Sequence, residues 1–70
     1  MPVDCEAYLG RIEECSKQPD LSADTAARLR QVIIVARRQW GGVGDRTTLQ
    51  AMCRQSFVDF SQSAREVGCR

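Results

Sequence analysis

Four side chains in this 70-residue sequence are suited to covalent or metal chemistry: Cys5, Cys15, Cys53 and Cys69. Thiols in such numbers in so short a chain form disulfides, hold a metal or carry redox equivalents. Spacing separates the three. Zinc sites draw cysteines in close pairs from tight turns, whereas here the intervals are C-x₉-C and C-x₁₅-C, with no histidine anywhere in the chain. A redox catalyst would need a C-x-x-C pair, which is absent. Disulfides are the chemistry that this spacing favours. The alternatives are four buried free thiols in a cytosolic protein and a metal carrier using the reduced thiols.

Three helical segments must position these cysteines. In residues 4–17, Cys5, Tyr8, Leu9, Ile12 and Cys15 recur at helical period. Asp4 is the expected N-cap, and Gln18-Pro19-Asp20 the stop. In residues 22–39 the stripe is Ala26, Leu29, Ile33, Ala36 and the adjoining Trp40, with Val32 on its edge. Ser22 is the cap, Leu21 can staple onto Ala26, and Gly41-Gly42-Val43-Gly44 ends the helix. In residues 47–67, Leu49, Cys53, Phe57, Phe60, Ala64 and Val67 form a near-heptad seam flanked by Met52 and Ser56. Thr47 to Gln50 fits a capping box, with Asp45 as a rival cap, and Gly68 suits the position just past the end. No strand-like alternation and no repeat occur. The expected fold is a single all-α domain over residues 1–70, a three-helix up-down-up bundle.

Helix geometry then restricts the pairing. Cys5 and Cys15 are about 15 Å apart along a helix, and Cys53 and Cys69 about 24 Å, while a bridge needs Cα atoms within about 7 Å. Both bridges must therefore join the first helix to the third. Parallel first and third helices favour Cys5–Cys53 with Cys15–Cys69. Cys5–Cys69 with Cys15–Cys53 stays open as the alternative, for a third helix running back along the first. Each bridge would close a loop of about fifty residues, worth roughly 4 kcal/mol by chain entropy. That is a large share of the stability available to so small a core.

The remaining residues do not assemble catalysis. Glu13, Glu14, Asp59 and Glu66 fall off the apolar stripes and read as a solvated face. Ser56, Ser61 and Ser63 have no histidine to activate them. The glycine-rich loop lacks the G-K-[ST] ending of a phosphate cradle. No enzyme activity and no cofactor are expected. Ten basic and nine acidic residues leave a net charge of +1, which excludes a general nucleic-acid binder. No apolar run is long enough to span a membrane. Residues 4–20 carry five carboxylates against two bases, and residues 21–40 four arginines against one aspartate. The expectation is that the two helices complement one another across the bundle, and the alternative is that the basic helix meets an acidic protein partner or an anionic surface.

Val32-Ile33-Ile34-Val35 breaks the pattern of the second helix. Ile34 points roughly 140° from Leu29 on an ideal helix, near Ala27, Arg30 and Arg38. Together with Trp40 and Val43, which flank the loop glycines, Ala27, Arg30, Ile34 and Arg38 make up the expected partner surface. The partner would be another protein or a second copy of the chain in a homodimer.

Cys5-Glu6-Ala7-Tyr8-Leu9 with Ile12-Glu13-Glu14-Cys15, followed by Leu49-Gln50-Ala51-Met52-Cys53-Arg54-Gln55, resembles small uncharacterised bacterial secreted or periplasmic helical proteins. Those share a Cys-Glu-x-Tyr-like start and a later cysteine opening the last helix. The resemblance covers the first and third helices and implies an exported helical domain, with no established activity. Similarity to periplasmic chaperones and immunity proteins is architectural. Mitochondrial twin C-x₉-C proteins share the first spacing, and the second departs from theirs. The expected function is therefore an exported protein-interaction module of inhibitor, immunity or chaperone type, periplasmic or secreted. Met1-Pro2-Val3 has neither the basic nor the apolar region of a signal peptide, so a leader is expected to precede the mature domain in its precursor. A structural homodimer module is the alternative.

Overall fold

The three apolar stripes become three α-helices in a computed structural model that describes residues 2–69: α1 (Val3–Ser16), α2 (Ala23–Trp40) and α3 (Arg46–Ser63). They run up, down and up. Two of the three expected N-caps move. Pro2, with φ −59°, caps α1 through its carbonyl, which accepts from the N–H groups of Cys5 and Glu6 at 3.1 and 3.2 Å. Proline's fixed φ and missing N–H suit the entrance of a helix, so α1 starts one residue early. Asp4, the expected cap, sits in the first turn and pairs with Arg54 of α3 at 3.6 Å.

At α3 the rival cap prevails. The Asp45 carboxylate accepts from the N–H groups of Thr47 and Thr48 at 3.0 and 3.3 Å and from the Thr48 hydroxyl at 2.9 Å. The two carboxylate oxygens meet three donors here, one more than the two lone pairs of a threonine hydroxyl can accept. Ser22 caps α2 as expected, accepting from the Thr25 N–H at 3.1 Å.

The helix ends also differ from expectation. None of Gly41, Gly42 and Gly44 takes the left-handed conformation. The chain leaves α2 through tight turns in which Gly42 and Val43 donate to the carbonyls of Gln39 and Trp40. α3 ends at Ser63 rather than near residue 67. Ala64 to Val67 wind on in tight i→i−3 turns. Gly68, at φ +95°, then reverses the chain so that the Cys69 N–H meets the Ala64 carbonyl at 2.8 Å. This paired closure is the Schellman arrangement, which the glycine makes accessible.

α1 is the spine. It packs closely on both α2 and α3, whereas those two barely meet each other. The Cα trace accordingly measures 38 × 21 × 14 Å, a slab rather than a cylinder. Cys5, Leu9, Ile12 and Cys15 on α1 are all buried. Two core clusters flank the middle. One joins Cys5, Leu9, Ala36, Trp40, Leu49 and Cys53, and the other joins Cys15, Ala64 and Cys69 with half-buried Leu21, Leu29 and Phe60 packed against them. The second helix thus has one close neighbour, and part of its apolar width stays uncovered.

Candidate functional site

The cysteines pair as favoured. Cys5 joins Cys53 with Cα atoms 4.8 Å apart, and Cys15 joins Cys69 at 5.4 Å. All four are buried, and no described cysteine is free. A disulfide has neither the nucleophile nor the ligand of a thiolate, so in this state the cysteines act as clamps between the first and last helical segments.

The other polar candidates lie apart. Glu13 pairs with Lys17 one turn away at 3.4 Å, and the Gln55 side-chain amide donates to Asp59 at 2.9 Å. Glu14 and Glu66 are exposed. The Ser63 hydroxyl donates back to the Asp59 and Phe60 carbonyls. In the glycine-rich loop the N–H groups of Gly41, Gly42 and Val43 are taken by carbonyls of α2, so they do not converge on a phosphate.

The expected partner surface divides in two. Ala27, Arg30, Ile34 and Arg38 lie on α2, with Ile34 half accessible. Ile33, Ile34, Arg30 and Arg37 line an open depression of about 530 Å³ shared with Glu13 and Lys17 of α1. Trp40 and Val43 do not belong to that surface. Trp40 is buried, and Val43 packs against the cluster that contains it. A large ring at the last position of α2 closes the end of a thin core, where its burial contributes more than exposure beside a loop.

The larger apolar surface lies on another face, where α2 and α3 splay apart. Two adjoining open depressions, of about 450 and 370 Å³, form one groove. Tyr8, Val32 and Ser56 border both. Val35 and Met52 line the end toward Trp40, and Leu29, Phe60 and Val67 the other end. Val32, Val35, Met52 and Val67 remain 41, 39, 48 and 42% accessible. Along α2 the groove runs from Arg28 to Trp40, about 18 Å at helical rise, which matches an amphipathic helix of three to four turns.

Tyr8 anchors the groove from α1. Its ring meets Trp40 at a centroid distance of 6.0 Å and Phe60 edge-on at 6.3 Å. Burial, and secondarily the Asp59 charge, push its phenol above the ordinary value, so near neutral pH the hydroxyl is protonated and can donate to an occupant.

Sequence reasoning placed Val32 at the edge of a stripe and Met52 beside a seam, and it did not single out Tyr8 or Val35 as surface. The excess of β-branched residues at 32–35 was the available signal. It indicated too much apolar width for one helix–helix contact, without saying which side stays open.

Comparison with protein-family models, with curated protein sequences and with solved structures finds no match. Among the described residues no helix is long and apolar enough to cross a membrane. The two bridges are consistent with an oxidising, exported location.

Proposed function

We propose that this chain is a non-enzymatic, exported protein-interaction module, periplasmic or secreted, that receives a partner helix in the groove between α2 and α3. The observation that carries the reading is the uncovered apolar lining of that groove, Val32, Val35 and Met52, on a scaffold clamped at both ends by disulfides. A monomeric protein gains nothing in stability from accessible apolar side chains clustered on one face. Clamping the scaffold lowers the ordering cost of binding. Inhibition, immunity and chaperoning all use such a surface, and the groove supports them alike.

The test is site-specific photo-crosslinking in a periplasmic extract, with the crosslinker at Val35 in the groove or at exposed Glu14 outside it. The expected result is a protein adduct from Val35 that disappears when the bridges are reduced, and none from Glu14. Equal adducts from both positions, or none from Val35, would refute the reading. Mass spectrometry of the cell-derived chain checks the compartment. An exported domain is lighter than its reduced form by the four hydrogens that two bridges remove, and an unchanged mass after reduction counts against export.

A further inference from the structure

The groove is complementary to itself. Arg28 stands on its α2 rim and Asp59 on its α3 rim. Both stand toward the same end, because Leu29, next to Arg28, lines one depression together with Asp59. Both are exposed, and Asp59 spends one oxygen on Gln55. Between the rims the lining is apolar, with Val32 central and Val35 and Met52 beside it.

We infer that the partner of this groove is a second copy of the chain, related by a two-fold axis running along the helices. The inference rests on the interaction-module reading and names its partner. Such an axis lays α2 of each copy over α3 of the other. Since α2 and α3 run in opposite directions, every neighbouring pair in the resulting four-helix layer is antiparallel, the arrangement of up-down four-helix bundles. It also brings Arg28 of each copy to Asp59 of the other, twice over, as an isologous contact requires. A two-fold axis perpendicular to the helices would instead set both charges against the Trp40 and Met52 end. The broad face of the slab, 38 by 21 Å, covers on the order of 800 Å², the area a standard stable interface takes from each partner. The net charge of +1 offers little repulsion between copies.

The experiment is sedimentation equilibrium of the oxidised chain over a concentration series, with circular dichroism to check that each variant keeps its helices. The wild type is expected to be a dimer that dissociates on dilution, and Val35→Glu a helical monomer. Arg28→Asp and Asp59→Arg alone each weaken the dimer about tenfold or more, since every substitution spoils two contacts. Mixed together, the two single variants form a heterodimer of near wild-type strength. One of its two contacts sets the introduced carboxylate against the introduced guanidinium, and the other keeps the original Arg28–Asp59 pair. No arrangement within one chain gives that rescue on mixing.

A wild type that is monomeric up to about 1 mM, single variants that bind as the wild type does, or mixing without rescue would each overturn the pairing. If the wild type is monomeric while the Val35 crosslink to another protein persists, self-pairing fails and the interaction-module reading stands. If neither association nor that crosslink is found, both fail.

Discussion

At the end of the bundle where α1 and α3 begin and α2 finishes, Leu9, Ala36, Trp40 and Leu49 close over the Cys5–Cys53 bridge, and all three helices contribute buried side chains. At the opposite end Cys15, Ala64 and Cys69 are buried, while Leu21, Leu29 and Phe60 are only partly covered. The two bridges span nearly equal lengths of chain, 48 and 54 residues. Their effect on the unfolded chain is therefore nearly the same, and any difference between the ends reflects what packs around them. The first end is a small hydrophobic core with a bridge inside it. The second is a bridge that holds a thin core in place.

The largest test of that contrast is to remove one bridge at a time. Cys5→Ala/Cys53→Ala and Cys15→Ala/Cys69→Ala should each lose about 3.5 kcal/mol by chain entropy, because the remaining bridge shortens the released loop to roughly 26 residues, measured by urea unfolding. Hydrogen exchange should separate them. Losing the second bridge is expected to free residues 64–69 while the Trp40 cluster stays protected, and losing the first to raise exchange throughout. Matching exchange patterns would dissolve the distinction between the ends.

Next in size is aromatic truncation. Trp40→Ala should cost roughly 3 kcal/mol, the low end for a tryptophan because its ring also borders the groove. Phe60→Ala, from the half-covered end, should cost about half as much. Equal losses in thermal unfolding would mean that both ends are packed alike.

Gly68→Ala probes the closing turn. Alanine at φ +95° is strained, and its Cβ would meet the Leu21 Cδ1 at 3.3 Å. A loss of about 1 kcal/mol is expected, whereas Gly44→Ala, in open space, should be close to neutral.

The smallest effect is at the Asp45 cap. The Thr48 hydroxyl, followed by the N–H groups of Thr48 and Thr47, holds this carboxyl below its usual range. A carboxyl lowered on folding stabilises the fold fully above its unfolded value of about 4. That contribution is lost as the pH falls through the depressed folded value. Asp45→Ala should lower the melting temperature slightly at pH 7 and flatten its dependence on pH in the acid range. An unaltered acid limb would assign the cap no electrostatic role.

The sequence carried the fold well because its constraints were geometric. Ten residues of helix cannot close Cys5 onto Cys15, and the rest of α3 with the tight turns beyond it carries Cys69 away from Cys53, so the bridges cross between helices, and the direction of α3 decides which. Local details were read less well where two residues competed for one task. Pro2 displaced Asp4, and Asp45 displaced Thr47, because a cap is settled by which group reaches the free N–H donors. The groove was the least legible part. A stripe identifies which residues are apolar and not how far two helices stand apart. The splay of α2 from α3 arises because both lean on α1, and no periodicity within a single helix records it. The glycines beside Trp40 and Val43 point both residues to the surface, yet the end of a thin core draws in whatever large side chain is in reach.

With α1 touched on both sides and α2 and α3 nearly strangers to each other, the demands on the chain are segregated. A change on the inward stripe of α1, at Leu9 or Ile12, unseats two neighbours at once. The outward half of α2 has no such obligation, and its residues can be rewritten while the frame endures. A molecule divided in this way can acquire new recognition by altering a few side chains between two fixed clamps, without having to solve its folding again.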